Sequence, residues 1–222
     1  MEIYLGFHGL GAPGEHVPTS ERPYWVPVDH YHAILGVIAN ATNPVGLTFD
    51  DGNKSDIEHG LPALLQHRVT ASFFVVTERI GDPNYLSAAD IFALDKAGMT
   101  IGSHGSVHVR WSELPDDELS RQVSSSIATL SDILGKRVDR VAIPFGAYDG
   151  RVLSILHRMN IAQIFNSDFG PALPGARMIA RNSVRIDTSL AEIRAMVEKR
   201  YTIADNVGAR LRQWRRSQIR QR

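Results

Sequence analysis

The sequence predicts an α/β fold in which helices pack around a parallel sheet or barrel. Short apolar segments with high β-propensity alternate along the chain with longer segments of helical pattern, and this alternation is typical of β/α units. The 222 residues, 43% of them hydrophobic, are enough for one sizeable domain and short for two. We therefore expect one domain whose functional residues lie at the carboxyl ends of its strands.

Six apolar segments are predicted to form strands: residues 3–7, 45–49, 72–76, 99–102, 138–143 and 161–166. Helical patterns lie between several of them. One helix is predicted from its cap Ser87 to Lys96 with Gly98 after its end, and a longer one over residues 116–134 with Gly135 after its end. Residues 151–158 also have a helical pattern.

Two adjacent carboxylates, Asp50 and Asp51, follow the predicted strand 45–49. Neighbouring side chains on a strand point to opposite faces, so both can serve one site only if the chain turns sharply after them, and Gly52 permits such a turn. One carboxylate could then bind a cation while the other accepts a proton. Asp-Asp-Gly alone is a common turn sequence, so the motif needs further ligands before it indicates a site.

Two histidines supply those ligands. His104 and His108 are four residues apart and follow the predicted strand 99–102. One Asp and two His suit a borderline divalent cation, and three protein ligands leave a position for water or substrate, as a catalytic site of the zinc type requires. The sequence contains no cysteine, so any metal must be bound through nitrogen and oxygen atoms.

These motifs resemble those of the polysaccharide deacetylases, the NodB-homology carbohydrate esterases of the family 4 type. The similarity rests on Thr-Phe-Asp-Asp-Gly at 48–52, His-x-x-x-His at 104–108, Ile-Pro-Phe-Gly at 143–146 and the apolar spacer at 70–75. The resemblance implies a distorted, incomplete (β/α) barrel of the TIM type. It also implies one catalytic domain, which we assign to residues 1–200.

The resemblance implies a role for each motif residue. Asp50 matches the catalytic base, and Asp51, His104 and His108 match the metal ligands. The implied cofactor is a divalent metal, with zinc as the default and cobalt or nickel as alternatives. The implied reaction is hydrolysis of acetyl groups on N-acetylated, or less readily O-acetylated, sugars of a polysaccharide or glycan precursor.

A third motif is expected to form one wall of the substrate groove. Pro144, Phe145 and Gly146 match the family loop that presents a backbone N–H to the developing oxyanion. Trp25 and Tyr148 lie near motif segments and are further candidates for the groove, because aromatic faces suit the apolar faces of sugar rings. Ordinary core packing is the alternative for each of the two.

The chain departs from the family pattern where two polar groups are expected. Many members hold the catalytic Asp with an Arg two residues before the third-motif Pro, and this position is Ala142 here. Arg140 shares the strand face of Ala142 and either replaces that Arg or points to solvent. The late histidine that protonates the leaving amine is also missing, and the last histidine, His157, is expected on the surface of the helix 151–158.

His8 is the candidate for the missing acid. It follows the predicted strand 3–7 and resembles the first-strand histidine of a deacetylase subgroup, where that residue lies near the metal. His8 would shape the site or supply the proton, and the alternative is a histidine that is merely satisfied near a strand end. Gly105 stands where many members have Ser or Thr, so Ser103 or Ser106 is expected to fix this loop instead.

The termini suggest where the protein acts. The N-terminus has no basic region followed by a long apolar stretch, so the chain as given is expected in the cytoplasm, with export left open. From residue 200 onward there are seven arginines against one acid, Asp205. Residues 201–222 are predicted to be a basic C-terminal helix or tail, either in peripheral contact with a membrane or simply solvated. No nucleic-acid-binding module is recognisable, and the expected partner is an acetylated glycan.

Two other functions are consistent with these motifs. The chain could be an amidohydrolase that cleaves a C–N bond outside sugars, as some relatives with the same fold do. It could also be a non-catalytic glycan-binding protein that keeps the fold. Asp50 argues against a pure binding protein, because binding a metal or a sugar does not require a base.

Overall fold

A computed structural model describes residues 1–173, 175–202, 205, 207–208 and 211. Over these residues the strands are β1 (Ile3–Phe7), β2 (Gly9–Leu10), β3 (Trp25–Val26), β4 (Val45–Phe49), β5 (Ser72–Val75), β6 (Thr100–Ser103), β7 (Arg140–Ala142), β8 (Gln163–Asn166), β9 (Met178–Ala180) and β10 (Asn182–Ser183). Eight of these described strands form one parallel sheet in the order β10-β1-β4-β5-β6-β7-β8-β9. β2 and β3 form a separate parallel pair.

The eight-stranded sheet is nearly closed into a barrel. β9 and β10 lie at its two opposite edges, yet only Arg181 separates them in sequence. One residue spans at most about 3.6 Å of extended chain, so the two edges must lie side by side at this point. We call this junction the seam, and Arg181 occupies it.

The helices are α1 (Val28–Ala39), α2 (Leu61–His67), α3 (Ala88–Lys96), α4 (Asp116–Leu134), α5 (Gly150–Arg158) and α6 (Leu190–Glu198). Ser87 caps α3 and forms a capping box with Asp90, which satisfies free N–H groups of the first turn. α4 ends at Gly135, whose φ of 64° is the left-handed conformation that glycine adopts readily. The apolar residues of α4 recur every three to four positions, so one face is buried against the sheet and its neighbours.

Aromatic side chains pack on both faces of the sheet. Phe49 stacks between Phe7 and Phe73, with ring centroids 5.3 and 4.7 Å away, and the edge of Tyr31 from α1 meets this stack from outside the barrel. Phe74 follows Phe73 in β5. Because side chains alternate along a strand, Phe74 points to the opposite face of the sheet, and its ring lies 4.8 Å from that of Phe165. Apolar packing therefore supports the strand ends from both sides.

The observed fold confirms the predicted α/β barrel. All six predicted strands are present, with ends that differ by up to two residues, and α3 and α4 have the predicted bounds. β9 and β10 were not predicted, since three and two residues carry too little pattern. The helices α1, α2 and α6 were also not located from the sequence.

The structure describes little of the predicted C-terminal tail. Most of the predicted tail at residues 201–222 lies outside the described residues. Among the described residues, no helix has the length and apolar character that crossing a bilayer requires.

Candidate active site

The two adjacent aspartates lie at the carboxyl end of β4, at the mouth of the barrel. The Asp50 N–H continues the sheet and donates to Phe7 O at 2.9 Å. The chain then turns through two left-handed residues, Asp51 with φ 75° and Gly52 with φ 71°. A Cβ on Gly52 would lie 3.1 Å from Val75 Cγ1, so β5 also requires a small residue here. This turn brings both carboxylates to the same side of the barrel.

Asp51 meets both motif histidines. The Nε2 atom of His108 lies 3.4 Å from Asp51 Oδ1, and that of His104 lies 3.9 Å from the same oxygen. One ligand atom from each of the three residues lies within 4.8 Å of the other two. The structure therefore brings the predicted metal-binding residues together at the ends of β4 and β6.

The protonation states of this triad fit a divalent cation. Burial lowers the pKa of His104 to about 4, so its imidazole is neutral at pH 7. Its Nδ1–H donates to Ala142 O at 2.9 Å, which leaves the lone pair of Nε2 for a metal. Burial also lowers the pKa of His108. Burial opposes ionisation of Asp51, but the attraction of His108, His104, His8 and Arg79 outweighs it, so the pKa of Asp51 is lowered. Two neutral nitrogens and one anionic oxygen are donors that zinc and similar ions accept.

Asp50 is held by an arginine that the sequence analysis did not identify. Arg181 Nη1 donates to Asp50 Oδ1 at 2.5 Å and Nη2 donates to Oδ2 at 2.8 Å, in a bidentate pair buried from solvent. Arg181 Nη1 also donates to Thr48 Oγ1 at 3.2 Å. The seam of the barrel thus places a guanidinium directly against the predicted base.

The charge of Arg181 decides the ionisation of Asp50. Burial by itself raises the pKa of this carboxyl group, but the attraction of Arg181, followed by that of His104 and the hydrogen bonds from Arg181, holds the pKa well below its usual range. Asp50 is therefore a carboxylate at neutral pH.

The alternative that Arg140 replaces the family arginine is wrong. Arg140 begins β7, whereas the site lies beyond the other end of this strand. It lines a small cavity with Tyr4, Gln163 and Phe165 at the opposite mouth of the barrel. Strand alternation puts Arg140 on the same face of β7 as Ala142, but Arg140 lies at the end of β7 that is away from the site.

His8 follows β1 and lies beside the predicted base. Its Nε2 atom is 4.0 Å from Asp50 Oδ2, and its side chain is 23% exposed. Its ring lies 4.9 Å from that of Tyr24. The buried Nδ1 atom of His8 has no hydrogen-bond partner among the described residues. His8 and Asp50 both line the cavity, so the structure places His8 beside the predicted base.

The third motif forms a tight turn beside the metal triad. Pro144 and Gly146 are buried, while Phe145 is 47% exposed and has a left-handed φ of 58°. The Phe145 ring lies 4.2 Å from that of His108, and Arg110 covers it with its guanidinium 5.1 Å from the ring centroid. This loop therefore packs on one of the metal-ligand candidates.

Trp25 and Tyr148 are not where the groove prediction puts them. Trp25 is 7% exposed and covers Gly9 so closely that a Cβ added there would lie 2.2 Å from the indole ring. Tyr148 is fully buried and donates a hydrogen bond to Asp168. Neither residue lines the cavity at the site. Core packing, the alternative given for both, matches their positions.

The remaining predicted residues have clear positions. Ser103 Oγ accepts the Gly105 N–H at 3.0 Å and pairs with Ser126 Oγ at 2.8 Å. Ser106 Oγ donates to Gln122 O at 3.0 Å, so both serines fix the loop that carries the histidines. His157 is exposed on α5, as the helical pattern predicted.

A cavity of about 710 Å³ opens over these groups. Its floor includes His8, Asp50, His104 and His108. Its walls include Glu21, Tyr24, Phe145, Phe169, Arg185 and Met196. The size matches sites that bind small molecules or a few sugar units.

Comparisons with known proteins agree with this site. The family model named polysaccharide deacetylase matches residues 39–164. YxkH of Bacillus subtilis (strain 168), which is named for the same family, is 20% identical over 145 residues, covering 65% of this chain and 52% of YxkH. The chain therefore spans about half the length of this curated relative.

Solved structures share the fold. The Streptococcus pyogenes deacetylase PplD, solved in complex with acetate, has a TM-score of 0.79 at 18% identity, covering 89% of this chain and 98% of PplD. IcaB from Ammonifex degensii has a TM-score of 0.75 at 19% identity, covering 89% of this chain and 97% of IcaB. Because the family model covers more than half of the sequence, the chain belongs to the polysaccharide deacetylase family.

Proposed function

We propose that this protein is a divalent-metal-dependent hydrolase that removes acetyl groups from N-acetylated sugars of a glycan. The observation that carries the proposal is the pairing of an ionised, arginine-held Asp50 with a metal-ligand triad whose two histidines line the same cavity as Asp50. A protein that only binds a glycan does not need a buried, ionised carboxylate beside a metal site. Burying the ion pair of Asp50 and Arg181 costs free energy, so the pair is expected where catalysis requires it.

The ligands would be Asp51, His104 and His108. A cation bound there would polarise the acetyl carbonyl and make a water molecule more acidic. Zinc suits the two nitrogen donors and one oxygen donor best, and cobalt or nickel would also be accepted.

Asp50 would accept the proton of the attacking water. Its lowered pKa makes it a weak base, so it holds the proton only briefly and passes it to His8, whose Nε2 atom lies 4.0 Å from Asp50 Oδ2. Arg181 keeps both carboxylate oxygens in place during this transfer. The C–N bond then breaks, the amine nitrogen gains a proton, and acetate and a free amine leave.

The third-motif loop would serve the oxyanion through one backbone donor. Pro144 has no N–H, and the Gly146 N–H is already donated to Ile143 O at 3.0 Å. Within this turn, Phe145 N–H is therefore the donor we assign to the developing negative charge.

His8 would protonate the leaving amine, because its Nε2 atom lies 4.0 Å from Asp50 and its side chain reaches the cavity. An amide requires this proton, whereas an activated phenyl ester has a leaving group that departs unprotonated. We expect His8→Ala to lower amide deacetylation by about 10²-fold or more and to leave hydrolysis of 4-nitrophenyl acetate nearly unchanged. Equal losses on both substrates would remove His8 from the acid role.

A substrate panel tests the proposed function. Metal-free protein is assayed for acetate release from N-acetylglucosamine oligomers, O-acetylated glycans and acetylated amines without a sugar, before and after zinc, cobalt or nickel is restored. We expect metal-restored release from N-acetylated sugars first. Release from the non-sugar amides alone would favour the other amidohydrolase, and no release despite one bound metal per chain would favour a binding protein.

A further inference from the structure

Each candidate metal ligand also contacts a second group outside the triad. Arg79 Nη1 lies 3.3 Å from Asp51 Oδ1, and His104 Nδ1–H donates to Ala142 O at 2.9 Å. The Nδ1 atom of His108 faces the carboxylate of Glu21, with Oε1 3.7 Å away. Partners of this kind fix the orientation of a ligating imidazole and the nitrogen that carries its proton.

The three partners belong to different kinds of structure. Ala142 ends β7, and Arg79 ends a 3₁₀ turn directly after β5, so both are fixed by the barrel. Glu21 instead belongs to residues 11–24, the segment that connects β2 to β3. We call it the connecting segment. Of the three partners, only that of His108 belongs to the segment between β2 and β3, outside the chain path of the eight-stranded sheet.

The connecting segment is held over the site by its own hydrogen bonds. Arg22 Nη2 donates to Gly14 O at 3.0 Å, and the Tyr24 N–H donates to Glu21 O at 2.9 Å. These bonds close the segment into a compact loop. They place the Glu21 side chain, which is 23% exposed, toward His108 rather than toward solvent.

The opposite wall of the cavity also anchors this segment. The N–H of Ile186 donates to Pro23 O at 2.8 Å, and Arg185 lies 5.0 Å from the centroid of the Tyr24 ring. Residues 184–188 follow β10, so the connecting segment spans the mouth of the cavity from the His108 side to the seam side. The position of Glu21 thus depends on the connecting segment lying across the mouth of the cavity.

We propose that Glu21 is a positioning residue that orients His108 for the metal and couples metal binding to docking of the connecting segment. The inference rests on the metal site of the proposed function. A neutral His108 that gives its Nε2 lone pair to a cation carries its proton on Nδ1, and a carboxylate is the strongest available acceptor for that proton. The coupling is reciprocal: the docked segment strengthens metal binding, and the bound metal strengthens docking.

Metal affinity of matched variants tests this proposal. Zinc is titrated against a chromophoric chelator in the wild-type chain, in Glu21→Gln, and in Glu15→Gln, which removes an exposed acid of the same segment. The Gln variant keeps the size of the side chain and removes its charge. We expect Glu21→Gln to bind zinc about 10-fold more weakly, in the range known for such outer partners, and Glu15→Gln to match the wild type.

Hydrogen exchange gives a second readout that does not depend on activity. In the wild-type chain, zinc should slow amide exchange over residues 18–24, and Glu21→Gln should lose most of this protection while keeping the wild-type melting temperature without metal. Equal zinc affinity and equal protection in the wild type and Glu21→Gln would overturn the coupling and leave the proposed function intact. Failure of the wild-type chain to bind one zinc would instead overturn both.

Discussion

Arg181 and Asp50 form the pair on which the chemistry of the site depends. Both side chains are buried, and removing one charge would leave the other without a partner, which typically costs about 3–5 kcal/mol of stability. Arg181→Lys is the more informative change, since it keeps the charge and removes the bidentate geometry. We expect it to lower kcat/KM by about 10–100-fold while zinc affinity changes little.

Steady-state kinetics and a zinc titration of Arg181→Lys measure these two quantities separately. Arg140→Lys is the matched control, because Arg140 lies at the opposite mouth of the barrel. Wild-type kcat/KM in Arg181→Lys would show that Asp50 needs no bidentate partner.

Asp56 is a buried acid that the proposed chemistry does not use. Burial, and then the charges of Asp51 and Asp50, raise its pKa well above the usual value, and neither carboxyl oxygen has a hydrogen-bond partner among the described residues. The fold therefore keeps the proton of Asp56 above pH 4, where the unfolded chain releases it. Stability is fully present below the unfolded pKa of about 3.9 and falls as pH rises toward the folded pKa.

Asp56→Asn removes this loss of stability at rising pH, because the side-chain amide of Asn does not titrate. We expect the melting temperature of the metal-free variant to exceed that of the wild type by a few degrees at pH 7, with the difference shrinking toward pH 4; about 1 kcal/mol corresponds to about 2–4 °C in a chain of this size. Glu58→Gln is the control in the same turn, since Glu58 is exposed. A difference that does not change with pH would refute a raised pKa for Asp56.

At the scale of elements, the turn after β4 sets the distance between the two aspartates and the histidine loop. Gly52→Ala would force a side chain into a left-handed φ and would also place its Cβ 3.1 Å from Val75 Cγ1. Gly81→Ala has only the strain of its φ of 90°, because no atom lies within 4 Å of its added Cβ. Comparing the two variants therefore isolates the close approach to β5.

We expect Gly52→Ala to lower stability by about 1–3 kcal/mol and to weaken zinc binding, because Asp51 must shift with the turn. Gly81→Ala should lose stability without losing zinc affinity. Thermal unfolding and a zinc titration of both variants measure these effects. Unchanged zinc affinity in Gly52→Ala would mean that the turn does not control the ligand geometry.

Elements also explain how much of the site the sequence could predict. Asp50, Asp51, His104 and His108 could be placed together because each follows a clear apolar strand, and parallel strands end at the same mouth. Arg181 could not be placed with them, because β9 and β10 are too short to show the alternating pattern of a strand. The available signal was weak: Arg181 directly follows the short apolar run 178–180. The burial of Trp25 depends on a contact with Gly9 that no local pattern shows.

At the scale of the whole molecule, closure of the barrel assembles the site. Asp50 and Arg181 are 131 positions apart in sequence, and the seam between β9 and β10 brings them into contact. The metal triad joins β4 to β6 across the same mouth, and the connecting segment closes it from above. The fold class was predictable from β/α alternation, whereas these long-range contacts required the three-dimensional arrangement of the strands.

The central claim is that Asp50 acts as the base beside a metal bound by its neighbours. The most direct measurement is acetate release from an N-acetylglucosamine oligomer by the wild type and by Asp50→Asn, with zinc content matched at one per chain. We expect the variant to bind zinc and to release acetate about 10²–10⁴-fold more slowly, which is the usual contribution of a positioned base. Acetate release at the wild-type rate by zinc-loaded Asp50→Asn would contradict the account.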